Sequence, residues 1–226
     1  MSQSSAVLRV AGDDRPSSTP ERIASEITKK LLRREYAVGQ RLVEADLTEE
    51  LRVGRSTVRE ALKILASRGV VEIIPYRGAQ IRGLTLQEAV QLLDVLEVLT
   101  GLAARLAAAR IDEPGCRTRL LAAAQPLTES TDDAALEKLL DHRAHFHQVM
   151  LDIAANEDLN RAMPTWRAHL FRTQFYRLNT RPDLRAMVNE YRLIVEAVTS
   201  GDGTRSEQHA RRHIRNTAER MLPYLR

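Results

Sequence analysis

Arg55, Ser56, Thr57 and Arg59 lie within five residues of each other in a chain of 226. Their types suit one chemistry. Hydroxyls at a helix start either cap the helix or join its free N–H groups in holding an anion such as a phosphate. Arginine grips guanine through O6 and N7 and is the commonest specific reader of a base. Arg59 follows Arg55 by one helical turn, so both side chains leave the same side. A further cation, Arg77, stands beside Gly78 in a turn that begins at Pro75. A solvated helix face would also carry Arg and Glu at such positions. The location of the charge favours the first reading. Residues 51–84 hold seven Lys or Arg against two Glu, while residues 85–226 hold 19 of each sign. A basic excess confined to one short segment is the footprint of a nucleic-acid surface.

The elements that must position these residues follow from spacing. Thr19-Pro20 opens a helix with a cap and a proline in the first turn, and Ile23, Ile27 and Leu31 recur at helical spacing. Helices are predicted over 44–51 and 56–68, with a turn at Val53-Gly54-Arg55 between them. Leu47, Leu51, Val58 and Leu62 supply the apolar face these two helices share. Leu42-Val43 is a short extended piece. Gly69 ends the second helix. Residues 70–74 and 79–82 read as a hairpin closed by residues 75–78, the wing of a winged helix-turn-helix. Such a motif puts the N-terminal residues of its second helix against base edges.

Beyond residue 83 the periodicity is helical throughout. Helices are predicted over 85–110, 115–129, 132–154, 164–178, 182–200 and 204–222, an all-α antiparallel bundle. The expected organisation is a tail over 1–19, a winged helix-turn-helix over 20–83 and an all-helical domain over 84–226. The fold class is mostly α. The tail lacks the apolar core of a signal peptide, and no apolar run approaches the length of a membrane span. One cysteine, Cys116, excludes an intramolecular disulfide, and a cytoplasmic location is expected. Cys116 follows Pro114-Gly115 in a predicted loop with no recognisable His partner, which argues against nucleophilic catalysis.

The stretches Val53–Leu62 (VGRSTVREAL), Leu65–Glu72 (LASRGVVE) and Tyr76–Ala79 (YRGA) resemble the GntR regulators. The resemblance implies that Arg55, Ser56, Thr57 and Arg59 touch double-stranded DNA, and that Arg77 and Gly78 reach the minor groove. That family usually has Ser where Gly54 stands. Phe146–Asn156 (FHQVMLDIAAN) and Glu190–Val198 (EYRLIVEAV) are similar to its FCD effector branch, and six helices suit the shorter, VanR-like variety. The resemblance implies a transcriptional regulator, a repressor in the first instance, whose helical domain binds a small organic acid and supplies the dimer interface. A dimer also follows from the two-fold related half-sites that helix-turn-helix proteins read, so the operator should be palindromic.

Members of that branch commonly hold a divalent metal with one Asp and three His. Here His147 and His213 stand at two of those positions, Arg143 stands at the Asp position and Tyr191 at a third His position. Arginine is a permanent cation with no lone pair to give a metal. The four residues therefore read as an effector site in which Arg143 takes a carboxylate directly, with no cofactor required. Two other readings stay open. His209 and His213, spaced i, i+4, could bind Zn²⁺ or Ni²⁺ with His147. Alternatively, Arg143 forms an internal ion pair, with Glu190 or Asp141 as its acid. His142, His145 and His169 are expected at the surface.

Overall fold

The computed structural model describes residues 18–32, 35–75, 77–129, 133–175 and 178–225, the side chains of 32, 133–141 and 166 excepted. Its helices are α1 (Thr19–Leu32), α2 (Glu44–Leu51), α3 (Arg55–Ser67), α4 (Leu86–Ala109), α5 (Cys116–Thr128), α6 (Asp133–Ala154), α7 (Glu157–Ala162), α8 (Thr165–Phe175), α9 (Arg181–Thr199) and α10 (Gly203–Met221). Three short strands, β1 (Arg41–Leu42), β2 (Val71–Ile74) and β3 (Gly78–Ile81), form one antiparallel sheet in the order β1-β3-β2.

The chain divides into two compact units. One holds, among the described residues, 18–94, Pro164–Asn179 and Ala218 onward; it therefore takes in the first turns of α4 and all of α8 besides the winged helix. In it α1 packs on α3 and α8, and α3 packs on α2 and β2. Ile23, Ile27 and Leu31 repeat every four residues along α1 and are buried, as are Val58, Leu62 and Leu65 of α3. Burying each such side chain stabilises the unit by about 1.5–3 kcal/mol. The α1 cap is Ser18, one residue before the expected Thr19. Its hydroxyl accepts from Glu21 N at 3.4 Å while Ser18 N donates to the Glu21 carboxylate at 2.9 Å, a reciprocal capping box. Lys30 and Tyr36 both bond the Glu50 carboxylate, which ties α1 to α2. Those two bonds, Lys30's first, hold the Glu50 carboxyl below its ordinary range.

The expected extended piece at residues 42–43 is a third strand. Arg41 pairs with Gln80 and Leu42 with Ala79, so β3 sits at the centre of the sheet. Arg55, expected in the turn between α2 and α3, instead opens α3; the left-handed residue of that turn is Arg52, at φ 53°, and Gly54 is extended at φ −70°.

The other unit holds Val95–Met163 and Thr180–Thr217. Here α5 packs on α6 and α9, and α6 on α9. The core runs from Ala103, Ala104 and Ala107 of α4 through Leu120 and Leu127 to Phe146, Met150, Met187, Tyr191 and Ile194. Glu97 of α4 accepts from Arg211 at 3.0 Å and Arg215 at 2.7 Å on α10. Asn156 caps a short helix, α7, which periodicity did not predict, so seven described helices follow residue 83 rather than six. Cys116 is buried in the first turn of α5 rather than lying in a loop.

Candidate functional sites

The first site is the start of α3. Arg55, Ser56 and Arg59 are exposed there and Thr57 is half-buried, while Val58, Ala61 and Leu62 turn inward. Gly54 occupies the cap position and contributes no side-chain bond. Four backbone N–H groups at a helix start have no partner within the helix, so this end presents donors and hydroxyls together. Arg59 Nε donates to Glu44 Oε2 at 2.8 Å. Across the sheet, Arg77 is exposed and its carbonyl accepts from Arg41 Nε at 2.8 Å. Arg41 is a cation that sequence spacing gave no reason to join to Arg77, since the two are 36 residues apart. Gly78 lies at φ +89°, and a Cβ there would collide with the Leu42 carbonyl oxygen. Glycine at 78 is thus demanded by the packing of β3 on β1, whatever it touches outside the protein. Tyr76 lies outside the described residues.

The second site lies within the helical unit. Arg143 and His147, one turn apart on α6, meet Tyr191 of α9. Arg143 Nε donates to Tyr191 Oη at 3.0 Å, and Tyr191 Oη lies 3.3 Å from His147 Nε2. The His213 ring on α10 is 4.8 Å from the Tyr191 ring and 6.2 Å from that of His147. All four expected residues are thus brought together. Tyr191 and His213 are fully buried, and Arg143 is only 8% exposed. The alternative reading that pairs Arg143 with Glu190 is not found among the ion pairs of the described residues. Glu190 instead accepts from His213 Nδ1 at 2.6 Å and from Asn216 at 2.8 Å. Among the described residues no carboxylate lies within ion-pair distance of Arg143; the Asp141 side chain is outside them.

The residues do not fit a divalent metal. Arg143 offers only donors, and Tyr191 is already engaged by it. His209 is not brought to His147 and His213. Its ring meets Arg212 at 3.1 Å, and burial, then Arg212 and Arg205, push its pKa down. Among the described residues no three His, Cys, Asp or Glu are grouped to hold a metal ion. His169 is also misplaced by its sequence context. It is buried, not at the surface, with Arg172 3.2 Å from its Nδ1.

The family model for the FCD domain matches residues 91–216, and that for bacterial regulatory proteins of the gntR family matches residues 19–81. The chain belongs to the GntR family. Its relatives include an uncharacterised helix-turn-helix transcriptional regulator of Mycobacterium tuberculosis, 29% identical over 220 residues that cover 89% of each chain. The gluconate operon transcriptional repressor of Bacillus licheniformis is 38% identical over 97 residues, 42% of this chain and 40% of the repressor. The solved structure of E. coli McbR/YncC shares the fold, with a TM-score of 0.79 at 16% identity over 93% of this chain and all of that one. This GntR protein is therefore a DNA-binding transcriptional regulator with an FCD effector domain, and its relatives are regulators rather than enzymes. Among the described residues no helix is long and apolar enough to cross a membrane.

Proposed function

We propose that this regulator is a cytoplasmic homodimer and a repressor, which binds a palindromic operator and changes its occupancy when a small organic acid enters the helical domain. The observation that carries the reading is the exposed set Arg55, Ser56 and Arg59 at the start of α3, within the segment that holds the chain's excess positive charge. Thr57 joins them at the phosphates, and Arg77 with Gly78 forms the wing contact. The effector site is Arg143, His147, Tyr191 and His213, and no metal is needed in it. Val95 and Val98 of α4 are 48% and 53% exposed, the apolar surface a second copy would cover. Repression is supported by the similarity to the gluconate operon transcriptional repressor.

Selection of bound duplexes from a random pool tests the reading. The expected product is an imperfect palindrome protected on both halves. Light scattering should give a mass near twice 25.5 kDa. A monomer at micromolar concentration that binds one half-site with full affinity would overturn the dimeric part.

A further inference from the structure

We infer that Arg52, in the turn from α2 to α3, is a further DNA contact, a phosphate-binding cation that stands beside the base-reading arginines. The inference rests on the reading above only in that the winged helix binds duplex. Residues 51–84 hold seven cations. Arg59, Lys63 and Arg82 are ion-paired with Glu44, Glu60 and Glu88, and Arg68 is half-buried. Arg52, Arg55 and Arg77 are exposed, and among the described residues none of the three pairs with a carboxylate. Arg55 and Arg77 are the base reader and the wing contact proposed above. Arg52 has the same character.

The backbone at Arg52 disfavours arginine. Its φ of 53° and ψ of 47° are left-handed. Its N–H closes α2 by donating to the Thr48 carbonyl, which also accepts from Val53 N–H at 3.3 Å. Glycine takes this helix-ending conformation without strain, whereas a Cβ makes it unfavourable. Among the described residues Ala155 is the other non-glycine with a positive φ, and alanine brings no charge to its turn. Charge balance within α2 does not call for Arg52 either. That helix carries Glu44, Asp46, Glu49 and Glu50; Glu44 holds Arg59, Glu50 holds Lys30, and Arg52 bonds none of the four. A cation does favour the negative end of a helix, but one anywhere in the last turn would do so without the left-handed backbone. Position supplies the reason. The first helix of a helix-turn-helix crosses the phosphate backbone, and the second enters the major groove. Arg52 closes the first, and Arg55, three residues on, opens the second. A guanidinium between them meets the phosphates that border the groove, and its forked donors match phosphate oxygens. It also offsets the exposed Asp46 and Glu49, which would otherwise repel duplex.

The test uses the full chain and two labelled duplexes, one of random sequence and one selected from the random pool. R52G should raise Tm by about 1–3 °C, because the left-handed strain is relieved. It should lower affinity for both duplexes alike, by about five- to tenfold per half-site in roughly 0.1 M salt. The salt dependence should flatten by about one contact per half-site. Asparagine tolerates the left-handed backbone without the full freedom of glycine, so R52N should match R52G and show that the lost charge, not a loosened turn, weakens binding. R52K should keep most of the affinity and of the salt slope. R185A removes an exposed arginine of α9 and should leave duplex binding unchanged. The inference is overturned if R52G and R52N keep wild-type affinity and salt slope, if R52G melts below the wild type, if R52K binds no better than R52G, or if R185A loses as much as R52G. R55A keeps the two readings apart. Lost preference for the selected duplex in R55A, with no loss in R52G, defeats this inference alone; uniform loss in R52G with R55A unchanged defeats the assignment of the α3 start alone.

Discussion

Glu44 of α2 accepts from Arg59 Nε of α3 at 2.8 Å, while the Arg59 side chain stays 64% exposed. An ion pair this exposed contributes only about 0–1 kcal/mol to stability. Its worth lies in orientation, because a bidentate base contact needs the fork held at a fixed angle. Glu44→Gln should therefore leave Tm nearly unchanged and lower affinity for the selected operator by roughly tenfold. Affinity for random duplex should hold or rise, since a negative charge has left the DNA-facing side. Equal losses on operator and random duplex would mean Glu44 does not orient the reader.

Arg55 and Arg59 should separate from Arg77 in kind as well as in size. Each of Arg55→Ala and Arg59→Ala should cost about 1–3 kcal/mol of operator binding and relax preference at one position of each half-site. Arg77→Ala should weaken binding more evenly across sequences and flatten the salt dependence by about one phosphate contact. Competition titrations at several salt concentrations read both quantities. Unaltered operator affinity in Arg55→Ala and Arg59→Ala, with native circular dichroism, would remove α3 from the interface.

The two glycines beside these arginines should respond oppositely to substitution. Gly54 has φ −70°, and a Cβ there would meet nothing nearer than Ser56 Oγ at 3.9 Å. Gly54→Ser should therefore add a helix cap, stabilise the protein by a few tenths of a kcal/mol and raise duplex affinity through a new hydroxyl. Gly78→Ala meets both a positive φ and the Leu42 carbonyl, so it should destabilise the sheet by about 1–3 kcal/mol and weaken duplex binding with it. Urea titrations of both variants decide it; a neutral Gly78→Ala would show that the wing can shift without cost.

The helix-turn-helix was legible because local signals agreed there. Leu47, Val58 and Leu62 mark its buried face, and the 3.6-residue period survives from 44 to 67. The strand at Arg41–Leu42 was hidden because two residues carry no period, and its partners lie 37 and 39 positions away. In the cluster, the family resemblance placed Arg143, His147, Tyr191 and His213 together, but bond directions could not be read from it or from spacing. Tyr191 holds Arg143, and Glu190 serves His213, only because α9 presents adjacent residues to two neighbours at once. His169 misled for a related reason. Arg167 and Arg172 stand near it in sequence, yet tertiary packing buries it with Ala168, Leu170 and Phe171 on α8.

That burial gives His169 a predictable effect on stability. Loss of solvent, reinforced by Arg172, pushes its pKa from 6.5 down to about 3. The unfolded chain therefore takes up a proton below pH 6.5 that the folded chain refuses, and stability falls as pH falls through this window. It is fully present above pH 6.5, and one such proton costs up to about 1.4 kcal/mol per pH unit on the way down. Carboxylates titrate mostly below pH 5, and the difference between the wild type and a His169 variant from pH 6.5 to 5 cancels the share of the other histidines. Urea unfolding at several points in that interval should give the wild type a steeper loss of stability than His169→Gln, by close to one proton. The glutamine variant will be weaker at neutral pH if its amide packs poorly, but only the slope reports the titration. Parallel slopes for the two proteins would show that His169 accepts its proton in the folded state, with Arg172 moving aside to let it.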